Sequence, residues 1–513
     1  MPETRRLLEA MAVLLAYVAF CAFVSLRRRQ RRVQNLSPVL LDAQSRGQSL
    51  LIAYASQTGF AEDLARRSAT TLQTGAAPVQ LRPLDALDVA TLSATRRAMF
   101  LVSTTGEGDA PDSAAQFVRK VMDRTVDLTG LDYGLLALGD SSYIHYCAFG
   151  RQLDAWLQRC GATPLFNRVE VDDGEGCALQ QWHSNLRHLA STAEFSESDA
   201  IDWTSPNYQP WRLAERYLLN PGSPGGAIFQ LVLKPLQEQP SWSSGDIAEV
   251  SPRNSLAVVR HFLQRLGLAP DTTMVGGAML GELLCSRILP PDGVELEALQ
   301  GLQPQTVLSR LKAVPHRAYS IASLASEGRL ELLVRQMCHT DGRLGLGSGW
   351  LTKHAPLDGS IALRIRTNRR FHLPTTDRPL ILIGNGTGLA GLRGHLKARQ
   401  AAGHRRNWLI FGERTRVHDF LFQEEIKNWV ESKHLQRLDL AFSRDQDTPI
   451  YVQNRLREAS TELTSWVADG AAIYVCGSME GMSTGVHTAL GDVLGLDTLE
   501  RLMNVGLYRR DVY

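Results

Sequence analysis

Three stretches of this chain share one pattern: an apolar run of strand length, a short polar loop, and then a helix-forming segment. The first is SLLIAYASQTGFAEDLARRSATTL, in which Ala61, Leu64, Ala65 and Ser68 fall on one helical face. The second is RAMFLVSTTGEGDAPDSAAQFV and the third GLLALGDSSYIHYCAFGRQLDAWL. Such repetition predicts a parallel sheet, with the three loops gathered at the carboxyl ends of the strands, where open α/β sheets bind ligands. In the first loop, hydroxyls and backbone N–H groups at a helix N-terminus suit a phosphate. Plain helix capping explains such a loop equally well on its own, and the absence of lysine excludes an ATP-binding P-loop.

The length, 513 residues, suggests roughly three domains. A net charge of +2 gives no support for nucleic-acid binding. The seven cysteines form neither a C-x-x-C pair nor a Cys/His cluster, which argues against a zinc site and a secreted disulfide scaffold and suits a reducing compartment. The N-terminus stands apart. Residues 7–26, LLEAMAVLLAYVAFCAFVSL, are apolar except for Glu9, and as a helix would reach the ~30 Å of a bilayer core. RRRQRR follows, five arginines against two before the run, which predicts the C-terminal side in the cytoplasm. The expectation is a single-pass anchor over 1–26, a basic linker over 27–48, and the remaining domains on the cytoplasmic face.

A stretch of about 140 residues, a full domain's worth, resembles the flavodoxin-like FMN domain of diflavin reductases, through SQTGFAEDLA, STTGEGDAPDSAAQF and LGDSSYIHYCAFGRQLD together. The resemblance implies a doubly wound domain over 49–191, with the FMN phosphate on Ser56, Gln57, Thr58, Gly59, Phe60 and Ala61. It implies the flavin ring between Ser103, Thr104, Thr105 and Gly106 on one side and Leu138, Gly139, Asp140, Ser141, Ser142, Tyr143, Ile144, His145, Tyr146 and Cys147 on the other. Tyr143 would stack on the ring, and Thr105 stands where some relatives carry a second aromatic. Glu107, Asp109, Asp112, Asp172, Asp173 and Glu175 would rim the crevice, either as solvated charges or to steer a basic electron acceptor.

A polar stretch over 192–224, with SPNYQP and NPGSPGG, reads as a linker. Beyond it, WSSGDIAEVSPRN and RAYSIAS resemble ferredoxin-NADP reductase-like FAD barrels, implying an FAD domain over 225–375. Arg317 would meet the FAD pyrophosphate, Ala318 and Tyr319 the flavin, and Ser320 its reactive nitrogen. GLGSGWL, with Gly345, Leu346, Gly347 and Ser348, would present N–H groups to the pyrophosphate, and NRRFHLP matches the family's link to the next domain.

That domain, 376–513, opens with PLILIGNGTGLAGLRGHLKAR. Gly386-x-Gly388-x-x-Gly391 after an apolar strand has Rossmann spacing, and Glu413, about 20 residues on, would then be an NAD-type ribose acceptor. The wider match is to the reductase family's NADP-binding domain. In that match Thr387 meets the nucleotide pyrophosphate, Ser443 and Arg444 pair with the 2′-phosphate, and Tyr451 and Gln453 complete the site. Pro449 replaces a usual lysine, and Gly391-Leu392 a usual Pro-Phe. Cys476, Ser320 and Asp511 would shape the hydride-transfer site, and the last residue, Tyr513, would lie on the FAD ring where the nicotinamide must come.

The resemblance as a whole implies an α/β plus β-barrel protein: a transmembrane helix, a flavodoxin-like domain, an FAD barrel and an NADP-binding domain. It implies the cofactors FMN, FAD and NADPH, with electrons passing from NADPH to FAD to FMN and on to a haemoprotein with a basic docking face, or another one-electron acceptor. Only some 60 residues separate VSPRN from RAYS, roughly a small domain, where relatives insert a longer helical segment. Two alternatives stay open: a sulfite reductase flavoprotein subunit working with a haemoprotein partner, and an electron relay with a degenerate nucleotide site.

Overall fold

The computed structural model describes residues 49–57, 59–73, 78–105, 108–141, 144–172, 176–190, 208–237, 240–291 and 293–513. They fall into two compact units, most of 61–200 in one and 201–513 in the other. The expected membrane anchor is corrected here. Among the described residues no helix is long and apolar enough to cross a membrane, and residues 7–26, on which that expectation and the cytoplasmic-face localisation rested, lie outside them.

The first unit is built on a parallel sheet of β1 (Leu50–Ala55), β2 (Val79–Pro83), β3 (Arg97–Ser103), β4 (Asp132–Gly139), β5 (Thr163–Pro164) and β6 (Val169–Asp172). The order is β2-β1-β3-β4-β5, with β6 also on β4. The middle residues of β3 and β4 are buried without alternation, as strands covered on both faces require. The order reverses between β1 and β3, so the loops after these strands open a crevice between them. Helix α1 (Phe60–Gln73) buries the predicted face, Ala61, Leu64, Ala65 and Ser68. Ser68 is tied twice, donating to the Leu64 carbonyl at 2.8 Å and accepting from Trp182 Nε1 at 3.0 Å.

The second unit has two sheets. One is antiparallel, made of β7 (Gln209–Leu218), β8 (Ile228–Pro235), β9 (Ile247–Ser251), β10 (Arg317–Ser320), β11 (Leu330–Arg335) and β12 (Ser360–Arg366), in the order β10-β9-β12-β7-β8-β11. A bridge between Ile321 and Leu332 joins its two edges, so the sheet closes on a core that includes Trp211, Leu231, Val250 and Leu363. Strand β7 lies inside the stretch read as a linker. It is a strand because Trp211 and Leu213 bury on one side of an otherwise polar segment.

The short stretch before β10 folds as α2 (Leu256–Leu266) and three smaller helices around a core of their own, including Phe262, Leu263, Leu280 and Val307. The side-chain amide of Asn254, the last residue of VSPRN, donates to the Arg287 carbonyl at 2.6 Å and so holds the entry to this segment.

The other sheet is parallel: β13 (Leu380–Asn385), β14 (Asn407–Glu413), β15 (Arg437–Phe442), β16 (Ala472–Gly477) and β17 (Tyr508–Val512), in the order β15-β14-β13-β16-β17. Helix α3 (Leu389–Ala401) locks this sheet to the barrel. Its Arg393 pairs with Glu331 of β11 at 2.5 Å, donates to the Ala322 carbonyl at 2.9 Å and stands 4.3 Å over the Phe422 ring. A second tie joins two of the sequence motifs. Asp246 of WSSGD accepts from the Asn368 N–H at 2.9 Å and meets His372 Nε2 at 2.6 Å, both residues of NRRFHLP.

Candidate functional site

In the first unit the loop after β1 is held by its own hydroxyls. Ser56 Oγ accepts from the Ala61 N–H at 3.2 Å, capping α1, while the Ser56 N–H donates to Ser113 Oγ at 2.8 Å. Gly59 adopts φ of 87°, a conformation that favours glycine, and Gln57 and Phe60 flank it. Thr58 lies outside the described residues, as do Gly106, Ser142, Tyr143, Glu107, Asp173 and Glu175; the stacking expected of Tyr143 falls there.

Opposite, Ser103 Oγ donates to the Ala55 carbonyl at 3.3 Å, bridging the ends of β3 and β1. The hydroxyls of Thr104 and Thr105 are buried and have no hydrogen-bond partner among the described residues. Such groups cost free energy unless something bonds them, and a bound polar ring edge would do so.

The third loop is braced. Leu138 and Gly139 end β4, and the Ser141 N–H and Oγ donate to Asp172 at 2.8 and 2.6 Å. Asp172 is thereby engaged within the crevice rim. A Cβ on Gly139 would come within 2.7 Å of the Cys147 nitrogen, and one on Gly108 within 2.7 Å of His145 Cβ, so the second and third loops touch. Cys147 has φ of 53° and starts the helix over Ala148–Arg159; burial lifts its thiol to about 11. Tyr146 carries the Arg151 guanidinium over its ring, whereas Ile144 is almost fully exposed.

In the second unit, Arg317 and the Gly345–Ser348 loop come together as expected. A Cβ on Gly347 would strike Arg317 Cγ at 2.7 Å, a close approach that only glycine permits. Ser348 Oγ accepts from the Met337 N–H at 3.0 Å, and Leu346 begins the helical turn. Ala318 is exposed, while Tyr319 packs on the barrel core and burial raises its phenol to about 12. These residues fit a pyrophosphate and an aromatic ring.

Ser320, Cys476 and Asp511 meet where the two sheets adjoin. Cys476 and Asp511 are partners across β16 and β17, and Ser320 is the last residue of β10. Ser320 Oγ donates to Asp511 Oδ2 at 2.8 Å, and the Cys476 sulfur lies 4.0 Å from Ser320 Oγ and 3.9 Å from Asp511 Oδ2. All three are buried. Burial pushes the Asp511 carboxyl above its ordinary range, opposed by the Ser320 hydrogen bond and the charge of Arg366. Burial and the adjacent Asp511 drive the Cys476 thiol well upward, so it stays protonated at neutral pH. A Cβ on Gly391 would sit 3.3 Å from the Cys476 sulfur and 3.5 Å from Ser320 Cβ, so the helix start packs directly on the cluster.

Tyr513 follows β17. Its N–H donates to the Gly477 carbonyl and its own carbonyl accepts from the Met479 N–H, both at 3.0 Å. The main chain is therefore fixed, while the side chain is 58 % exposed and tethered by its hydroxyl to Thr387 Oγ1 at 3.2 Å. Gly388 lets the loop lie on the next strand, since a Cβ there would overlap the Cys476 carbonyl.

At the far side of this sheet, Ser443 and Arg444 follow β15, their N–H groups donating to the carbonyls of Glu413 and Arg414 at 2.9 and 2.8 Å. Arg444 is exposed, and so is Tyr451 at the start of the helix over Val452–Glu458. The buried Gln453 Oε1 has no hydrogen-bond partner among the described residues, which suits a ligand donor.

Sequence reasoning missed Arg335. From β11 it pairs with the Glu413 carboxylate, whose other oxygen accepts from the Arg414 N–H at 2.8 Å. The Arg414 guanidinium also stands 3.7 Å from Glu413 Oε2, but Arg335 lies 78 residues away in another sheet, beyond the reach of any local motif.

Comparison with known proteins agrees with this arrangement. Residues 52–182 match the Flavodoxin family and residues 382–488 the Oxidoreductase NAD-binding domain family. The chain is 30% identical to the sulfite reductase (NADPH) flavoprotein alpha-component of Vibrio cholerae serotype O1, over 90% of this chain and 87% of that protein. It is 30% identical to the protein of the same name from a Shewanella species, over 93% and 92% of the two chains, and 29% identical to that of Neisseria meningitidis serogroup C, over 91% and 89%. With a flavodoxin unit, a nucleotide-binding sheet and relatives aligned over nine-tenths of its length, this chain belongs to the diflavin reductase family, NADPH-dependent oxidoreductases that use FMN and FAD.

Proposed function

We propose that the chain is the electron-supplying flavoprotein of a two-component haemoprotein reductase, with sulfite reductase the system that its relatives' names favour. Those relatives are called alpha-components, which points to a separate terminal partner. When bound, NADPH supplies a hydride to FAD, and the two flavins divide the electron pair into single electrons for the acceptor.

The residues have distinct tasks in this reading. Arg317 and the Gly345–Ser348 loop hold the FAD pyrophosphate, and Tyr319 offers its ring face. Ser320, held toward Asp511, presents a fixed hydroxyl dipole at the reacting face, and the protonated Cys476 fills the space beside it without adding charge. Ser443 and Arg444 bind the 2′-phosphate, while Thr387 takes the nucleotide pyrophosphate and releases Tyr513. In the first unit Ser56 and the α1 N-terminus take the FMN phosphate, and the Thr104 and Thr105 hydroxyls bond the ring edge.

The observation that carries this reading is the buried Ser320–Asp511 hydrogen bond with Cys476 packed against both. The test is anaerobic addition of NADPH to the purified holoprotein, followed by an acceptor. Prompt bleaching of flavin absorbance and continuing cytochrome c reduction are expected. A chain that binds both flavins but is not bleached by NADPH would be the relay without turnover.

A further inference from the structure

The nucleotide sheet holds an acidic group where NADPH binding should not want one. Glu413 ends β14, next to β13, whose following loop opens at Gly386. In Rossmann-type sites an acidic side chain at this strand end accepts hydrogen bonds from the ribose of NAD. The Glu413 carbonyl also accepts from the Ser443 N–H at 2.9 Å, so this residue's main chain adjoins the segment assigned to the 2′-phosphate. Left alone, the Glu413 carboxylate would favour NADH twice, by offering an acceptor to ribose hydroxyls and by repelling a phosphate.

It is not left alone. Arg335 reaches across from the barrel, its Nη2 on Glu413 Oε1 and its Nη1 within 3.3 Å of the Gly226 carbonyl. The Glu413 side chain is almost wholly buried beneath it. Gly386, at φ of 56°, makes room for the pair: a Cβ there would lie 2.8 Å from Arg335 Nη2 and 3.3 Å from Glu413 Oε1. Loop, acid and arginine thus form one packed knot.

We propose that Arg335 is a cofactor-selectivity residue: by pairing with Glu413 it withdraws the carboxylate from the ribose and cancels its charge beside the 2′-phosphate. The inference rests on the NADPH reading above, and it adds a determinant that lies on the FAD barrel. Selectivity then has two parts, attraction at Arg444 and removal of a repulsive acid at Arg335.

The test is kcat/KM for NADPH and for NADH in the holoenzyme, with ferricyanide as acceptor, in wild type, Arg335→Gln, Glu413→Gln and the double variant. Flavin absorbance verifies that FAD is retained. Arg335→Gln should lower the NADPH/NADH ratio by about tenfold or more, and adding Glu413→Gln should return it to within about threefold of wild type. Restoration by deleting the acid is a result that general loosening of the fold would not give. Equal loss with both nucleotides, or a double variant no more selective than Arg335→Gln, would overturn the proposal. Should Arg335→Gln lose FAD, Arg335→Lys is measured instead. A point charge covers the carboxylate less completely, so a smaller fall in the same direction is expected, and an unmoved ratio would overturn the proposal. A wild-type enzyme that fails to oxidise NADPH would instead defeat the functional reading itself.

Discussion

Ser320 and Asp511, separated by 191 residues and carried on different sheets, share a buried hydrogen bond of 2.8 Å. The bond depends on two assemblies: β17 must add to β16 to bring Asp511 beside Cys476, and α3 must be clamped to the barrel by Arg393 and Glu331. The Ser320–Cys476–Asp511 cluster is therefore made by tertiary structure, and its hydroxyl is held in a fixed orientation.

Asp511→Asn follows from this geometry. A folded-state pKa above the unfolded value means the native protein holds that proton more tightly. The stability it contributes is full below the unfolded value of about 4 and is lost as pH rises through the folded value. Asparagine cannot ionise and can still accept from Ser320. The variant should therefore gain stability over wild type at about pH 7.5, by about 1.4 kcal/mol for each pKa unit of the upward shift, with the gain shrinking toward about pH 4.5. Urea unfolding of the holoprotein at the two pH values measures this, and equal differences at both would contradict it.

Tyr513→Ala should favour NADH. In the reading proposed above the ring vacates the flavin for either nicotinamide, a cost of ~1 kcal/mol beyond burial that NADPH would meet from its 2′-phosphate contacts and NADH would not. The ratio of kcat/KM for NADPH to that for NADH should fall by about fivefold, chiefly through a rise for NADH. An unchanged ratio would reduce Tyr513 to a surface side chain tethered to Thr387.

Arg444→Ala should raise the KM for NADPH far more than that for NADH, by on the order of 2 kcal/mol, because a charge-assisted contact to phosphate is lost. Inhibition by 2′,5′-ADP checks this without turnover: it should weaken in parallel, whereas inhibition by 5′-AMP should not. Equal weakening of both would place the 2′-phosphate elsewhere.

Much of this was legible because it lies at strand ends. SQTG, STTG and LGDSS each follow an apolar run, so their convergence on one crevice could be read from the pattern, as could the meeting of Arg317 with GLGSG from the family resemblance. What escaped was set by long-range packing. Strand β7 was hidden because only Trp211 and Leu213 bury in it and prolines and asparagine flank it. Arg335 escaped because its meaning lies wholly in Glu413, which the sequence offered as an NAD-type acceptor and the fold turns into an ion-pair partner. The close packing of Gly391 on the Cys476 sulfur also escaped, because the two lie 85 residues apart and meet only through the sheet.

The central claim is that the two flavins act in series, and Gly59→Asp tests it most directly. Gly59 has φ of 87° in the loop before α1, so aspartate there both strains the backbone and sets a carboxylate against the proposed FMN phosphate site. FMN should be lost while FAD is kept. Flow from NADPH through FAD to FMN predicts that cytochrome c reduction then falls by about a hundredfold while ferricyanide reduction, which FAD can sustain, stays within about twofold of wild type. Equal loss of both activities in a variant that retains FAD would contradict it.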